Sequence, residues 1–231
     1  MLWEEQSLLD AIATEFEAHE ASLIAENAIK GLDSLDELSI HPIVAAAISK
    51  LGFGVFREFP FPGSTGKRRK KMERTRCDFV LTHDSAMSPG DPVARDIRAE
   101  TKAATLFADT PPLPDHTTPI CECLFLECKV VGQYVYLDGV PGPNRTYASS
   151  LIRAVAGDLK KLGEDEKIAF GAVLLIHFTA DEGVAKHDLM MALHRALDRK
   201  ASFRSPIVRH LRIPERIGNT CCTISIIGKS A

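Results

Sequence analysis

Leu126-Glu127-Cys128-Lys129-Val130 sets two opposite charges two residues apart inside an otherwise apolar run, Ile120–Val131. The run reads as a strand, in which successive side chains point to opposite faces. Glu127 and Lys129 therefore project from one face, and Leu126, Cys128 and Val130 from the other. A charged pair within an apolar strand is costly to desolvate unless its face opens on a site or finds partners.

Upstream, Arg74–Leu81 reads as a second strand, with Asp78 between Cys77 and Phe79. If the two strands are neighbours, Asp78, Glu127 and Lys129 converge at one edge of a sheet. Two carboxylates can hold a hard cation such as Mg²⁺ while leaving room for water and a phosphate oxygen. The cation stabilises charge and acidifies water, and a nearby lysine orients or deprotonates the attacking water. That set suits phosphodiester hydrolysis. The plainer alternative is a surface strand with a charge pair and an acid in a buried ion pair.

Around these strands the pattern is mixed. Residues 4–30 carry Leu8, Leu9, Ile12, Phe16, Leu23 and Ile24 at helical spacing, with Gly31 as a stop. A second helix is expected over about 40–51, capped by Ser39, with Pro42 in its first turn and Gly52 closing it. Phe53–Pro60 reads as a strand. Residues 82–119 hold six prolines and a short helix is expected near 93–107; a structureless connection of that length is unusual, so the stretch reads as an insertion. Tyr134–Leu137 extends the Ile120–Val131 strand past a bend at Gly132, and Gly139–Pro143 is a turn. Tyr147–Leu162 is an amphipathic helix ending at Gly163. Phe170–Thr179 is almost wholly apolar, as in a strand covered on both faces. Val184–Arg199 is helical and Thr220–Ile227 is β-rich. The expected order is α-α-β-β-β-α-β-α-β in one domain, 1–231.

Asp78, then Glu127-x-Lys129 some fifty residues on, set on strands after a helix and before a helix and a strand, resembles the PD-(D/E)xK (restriction-endonuclease-like) nuclease superfamily. The resemblance spans about residues 34–180. It implies an α/β fold with a mixed central sheet flanked by helices (an αβββαβ core), here with an added N-terminal helix and the insertion near 82–119. It implies Asp78 and Glu127 as metal ligands for Mg²⁺ or Mn²⁺, and Lys129 serving the water. Cys77 stands where the nominal motif has proline, which is not a ligand. No Gln-x₃-Tyr follows Lys129, so exonuclease and RecB-like branches fit less well. Many members add a carboxylate from the helix before the first strand; Glu37 is at a suitable distance and Glu26 is a second option. A solvated or capping acid is the plainer reading of either. His41 is a further side chain of interest, although a lone helical histidine usually only packs.

Lys67, Arg68, Arg69, Lys70 and Lys71, continued by Arg74 and Arg76, place seven basic residues in ten positions leading into the strand of Asp78. Most such runs are solvated loops, but this one would hold phosphates beside the proposed metal. A second basic stretch comprises Arg195, Arg199, Lys200, Arg204, Arg209, Arg212 and Arg216. With few interleaved aromatics, neither resembles a stacking platform for single strands. The net charge of −3 excludes general polyanion coating but allows a local cationic groove.

The remaining features bound the class. The 231 residues, 45 % hydrophobic and 26 % charged, are ordinary globular composition. The longest apolar runs are about half the roughly 20 residues of a membrane span, and the acidic start Met1–Glu5 lacks signal-peptide character. A cytoplasmic location without membrane contact is expected. Cys121-x-Cys123-x₄-Cys128 matches no usual zinc spacing, and free cysteines pack as small hydrophobes. Neither a Walker-type phosphate loop nor a Gly-x-Ser-x-Gly elbow is present. The expectation is a nuclease acting on DNA ahead of RNA, in restriction, repair or phage defence, with homodimerisation left open. The competing expectation is a non-catalytic nucleic-acid-binding or scaffold module that keeps the fold.

Overall fold

The computed structural model describes residues 3–63, 75–95 and 116–230. Strands β1 (Gly54–Pro60), β2 (Arg76–Thr82), β5 (Leu124–Gly132), β8 (Phe170–Thr179), β9 (Ile207–Arg212) and β10 (Cys221–Gly228) form a six-stranded mixed sheet in the order β1-β2-β5-β8-β10-β9. Within this sheet only the central β5–β8 pairing is parallel. Two short pairs lie outside it: β3 (Ser88–Pro89) with β4 (Thr117–Thr118), and β6 (Tyr134–Leu137) with β7 (Val140–Pro143).

Helices cover both faces. α1 (Glu5–Ala25) and α2 (Glu37–Lys50) pack on one, through Leu8, Ile12, Phe16, Val44 and Ile48 against Leu126, Cys128 and Ile176. α3 (Tyr147–Glu164) and α4 (Glu182–Asp198) pack on the other, through Leu151, Val155, Leu159 and Leu193 against Phe125, Val173 and Leu175. The split follows from strand alternation: even-numbered residues of β5 enter the first cluster and odd-numbered Phe125 and Val131 the second. The chain is therefore α/β, with a mixed central sheet between two helical layers. Among the described residues no helix is long and apolar enough to cross a membrane.

Several expected boundaries move. α1 ends at Ala25, five residues before Lys30, where Asn27 turns left-handed at φ 52°. α2 begins at Glu37 because Asp36, not Ser39, is its cap; the Asp36 carboxylate accepts from the Ser39 N–H at 2.8 Å. Pro42 consequently sits in the second turn, where it removes a backbone donor from the helix. Ile120–Glu122 is a 3₁₀ turn, so β5 starts only at Leu124. Tyr134–Leu137 does not extend β5; it folds back on Val140–Pro143 about Asp138 and Gly139, both with positive φ, as a two-residue hairpin turn requires. α3 runs one residue past Gly163. β9 was not expected at all. Of the helix expected near 93–107, residues 92–95 are helical and 96–115 lie outside the described residues.

Candidate active site

β2 pairs with β5 only over Phe79–Leu81, opposite Leu126–Leu124. Beyond Leu126 the two strands part, and Asp78 sits at the parting. Its partner on the other side is missing too: β1 pairs Arg57 with Phe79 and Phe59 with Cys77, but the intervening Glu58 is left-handed at φ 53° and no Glu58–Asp78 pair forms. The Arg76 guanidinium holds the Glu58 carbonyl at 2.7 Å. Asp78 uses its side chain where the ladder fails, accepting from the Cys128 N–H at 2.8 Å. A carboxylate thus closes the gap that a strand-to-strand bond would otherwise fill.

The gap lets Lys129 through. It leaves β5 on the face of Phe125 and Val131, yet its ammonium reaches Glu37 on α2 at 2.9 Å and Asp78 at 3.4 Å. Burial works to lower the Lys129 pKa, but the Glu37 hydrogen bond and the Asp78 and Glu37 charges outweigh it, and the value is raised. Lys129 is a fixed cation between two acids. One turn along α2 from Glu37, His41 offers a ring nitrogen, and this atom and oxygens of Glu37 and Asp78 all lie within 4.8 Å of one another. His41 is 1 % exposed, packs edge-on to Phe79, and has Arg57 at 3.4 Å from Nδ1. Burial lowers its pKa, against the pull of Asp78 and Glu37.

Glu127 has a different surrounding. Its side chain is 3 % exposed and accepts from Lys161 of α3 at 2.6 Å. Lys161 is itself held by the Arg76 carbonyl at 3.1 Å and lies over the Phe61 ring at 4.5 Å. Burial pushes the Glu127 pKa up to about 7, with Lys161 pulling down and Asp78 adding to the rise. Asp158, one turn before Lys161, feels Lys129, Lys161, Asp78 and Glu37, and burial raises its pKa. Glu37, Lys129 and Asp78 form one contacting charged group and Lys161 and Glu127 another, with Asp158 within electrostatic reach of both.

Of the expected site residues, Asp78, Lys129, Glu37 and His41 meet at the parting of β2 and β5. Glu127 lies on the adjoining strand but is joined to Lys161, and it is absent from the Glu37–His41–Asp78 group. Glu26 is the cap residue after α1, not part of the group. Lys67, Arg68, Arg69, Lys70, Lys71 and Arg74 lie outside the described residues; Arg76 opens β2. In the second basic stretch, Arg195, Arg204, Arg209 and Arg216 are paired with Asp198, Glu5, Asp10 and Glu20. The cysteines are free, and Cys77, Cys123 and Cys128 are buried while Cys121 is exposed. Asp158 and Lys161 were not expected. Their signal was Asp158 itself, an acid falling in the apolar stripe Leu151, Val155, Leu162 of α3.

A cleft of about 280 Å³ opens beside Glu37, lined by Leu35, Asp36, Val130, Asn144 and Ser150. A larger one, about 960 Å³, lies elsewhere, between Arg76, Asp91, Arg95 and Lys167, and includes none of the clustered acids. No family model, no curated protein and no solved structure matches the chain.

Proposed function

We propose that the chain is a metal-dependent nuclease that hydrolyses phosphodiester bonds of DNA, built on the restriction-endonuclease-like core of PD-(D/E)xK enzymes. The observation that carries this reading is the convergence of Asp78, Glu37 and Lys129 where β2 and β5 part. Charged side chains from three elements are brought together at a break in the sheet, where backbone pairing would be the cheaper arrangement.

The donor set fits a divalent cation: two carboxylates, an imidazole and partial access to solvent, with side-chain exposures of 15 % for Asp78 and 36 % for Glu37. Asp78 and Glu37 would hold Mg²⁺ or Mn²⁺, whereas Glu127, which the resemblance implies as a ligand, is held instead by Lys161. Such an ion supplies charge neutralisation at a phosphate oxygen and acidification of water. Lys129 stays protonated and is anchored by Glu37, so it offers a directed donor to water or to a developing oxyanion. Lys161 fixes the Glu127 carboxylate by the same means from the other side. Arg76 stands two residues before Asp78, and the basic run before it would grip the DNA backbone.

One observation favours the non-catalytic module: each acid is already matched by an internal cation, Glu37 and Asp78 by Lys129 and Glu127 by Lys161. Plasmid nicking with Mg²⁺ or Mn²⁺ separates the two. Asp78→Ala should lose cleavage by several orders of magnitude with the far-ultraviolet spectrum kept, and Lys129→Ala should lose it while still binding the ion. Robust cleavage by Asp78→Ala, or none by the wild type on DNA or RNA, would turn the assignment to the binding module.

A further inference from the structure

We infer that the cation site of this chain is Glu37–His41–Asp78, selective for a first-row transition-metal dication over Mg²⁺, with Glu127 outside the ligand set. The inference deepens the proposed function and rests on it for the ion's role, but not for the ion's existence.

Glu37 and His41 stand four residues apart on α2, hence on one face of the helix, and that face meets Asp78 at the parting of the strands. The cap at Asp36 fixes the turn from which Glu37 projects. His41 is the informative member. It is 1 % exposed, and its Nε2 is buried without any hydrogen-bond partner. Packing against Phe79 and the long contact with Arg57 account for the ring's place but leave that nitrogen unsatisfied. A buried polar atom left so is a reason to look for an absent ligand.

The ligand has to be a cation. Two carboxylates converge here, and the space between them is spanned by the Lys129 ammonium, in contact with both. Lys129 stands in for positive charge that the acids require. Glu127 is not among the side chains whose donor atoms converge here, and Lys161 holds it at 2.6 Å on the side of α3. Of the ions that two carboxylates and an imidazole can take, Mg²⁺ is the poorest match, because it demands oxygen donors and retains its water. Imidazole nitrogen favours first-row transition ions.

The test uses the intact chain and Mn²⁺ or Mg²⁺ alone. Pulsed electron paramagnetic resonance of the Mn²⁺-loaded wild type should show coupling to an imidazole ¹⁴N, a readout that needs no variant. By calorimetry, His41→Gln should weaken Mn²⁺ binding by about tenfold or more and leave Mg²⁺ binding little changed. Glu127→Gln should leave Mn²⁺ binding unaltered, and Lys129→Met should tighten it. Absence of ¹⁴N coupling, no Mn²⁺ binding, or loss of Mn²⁺ with Glu127→Gln would overturn the assignment. A nitrogen-coupled ion on a chain that cuts no nucleic acid would sink the nuclease reading alone; a cutting chain with an all-oxygen ion would sink this one alone.

Discussion

Glu127 and Lys129 leave the same face of the same strand, yet one ends against α3 and the other against α2. The motif was legible as two charges that need partners, because their desolvation cost is a local matter. Which partners they find was not, because Lys161 and Glu37 lie 34 and 92 residues away in sequence. The environment of Glu127 has a measurable consequence. An acid whose pKa is higher folded than unfolded takes up protons on folding. Its ionisation therefore weakens the fold as pH climbs from 4.5 to about 7, and adds no further loss above that. Relative to the wild type, Glu127→Gln should gain stability between pH 5 and pH 8, by at most on the order of 3 kcal/mol. Urea denaturation at the two pH values measures this; a gain that shrinks with rising pH would contradict the burial argument.

At the scale of elements, legibility followed how local each signal was. Phe170–Thr179 was readable in full because a run apolar on both faces has few alternatives at that length. Ile207–Arg212 was not, because it is an edge strand whose charges interrupt the alternation, with Arg209 and Arg212 exposed. The start of α2 was misplaced because Asp36 and Ser39 are both capping types, and only the observed 2.8 Å bond chooses between them. That choice matters to the site, since it puts Glu37 in the first helical turn. Asp36→Ala should lower the melting temperature, because the cap is lost, and also loosen the Glu37–Lys129 contact. Thermal denaturation reads the first effect and the Lys129 side-chain NMR signal the second. An unchanged melting temperature would show that tertiary packing alone sets the helix start.

Across the whole molecule, both helical layers are tied to the sheet by apolar packing and by ion pairs. Much of the tie is apolar, but the N-terminal layer also has a buried ionic one: Glu20 of α1 pairs with Arg216 before β10 and accepts from the Leu32 N–H at 3.1 Å. Both charged side chains are largely buried, so Arg216→Met strands an acid and should cost about 3–5 kcal/mol, read as a lowered urea midpoint. A loss under about 1 kcal/mol would mean that water reaches the pair. The parting of β2 and β5 is a further ionic tie, and it forms a seam. Residues 127–132 of β5 have a strand neighbour, β8, on one side only, and on the other the Asp78 carboxylate takes the Cys128 N–H and the Asn144 amide the Gly132 carbonyl. Salt weakens partly solvated charge contacts and spares apolar ones. Raising ionic strength should therefore speed amide exchange at Cys128 and its neighbours before it touches β8 or β10, so the seam that gathers the reactive groups is also where the sheet would come unstitched first.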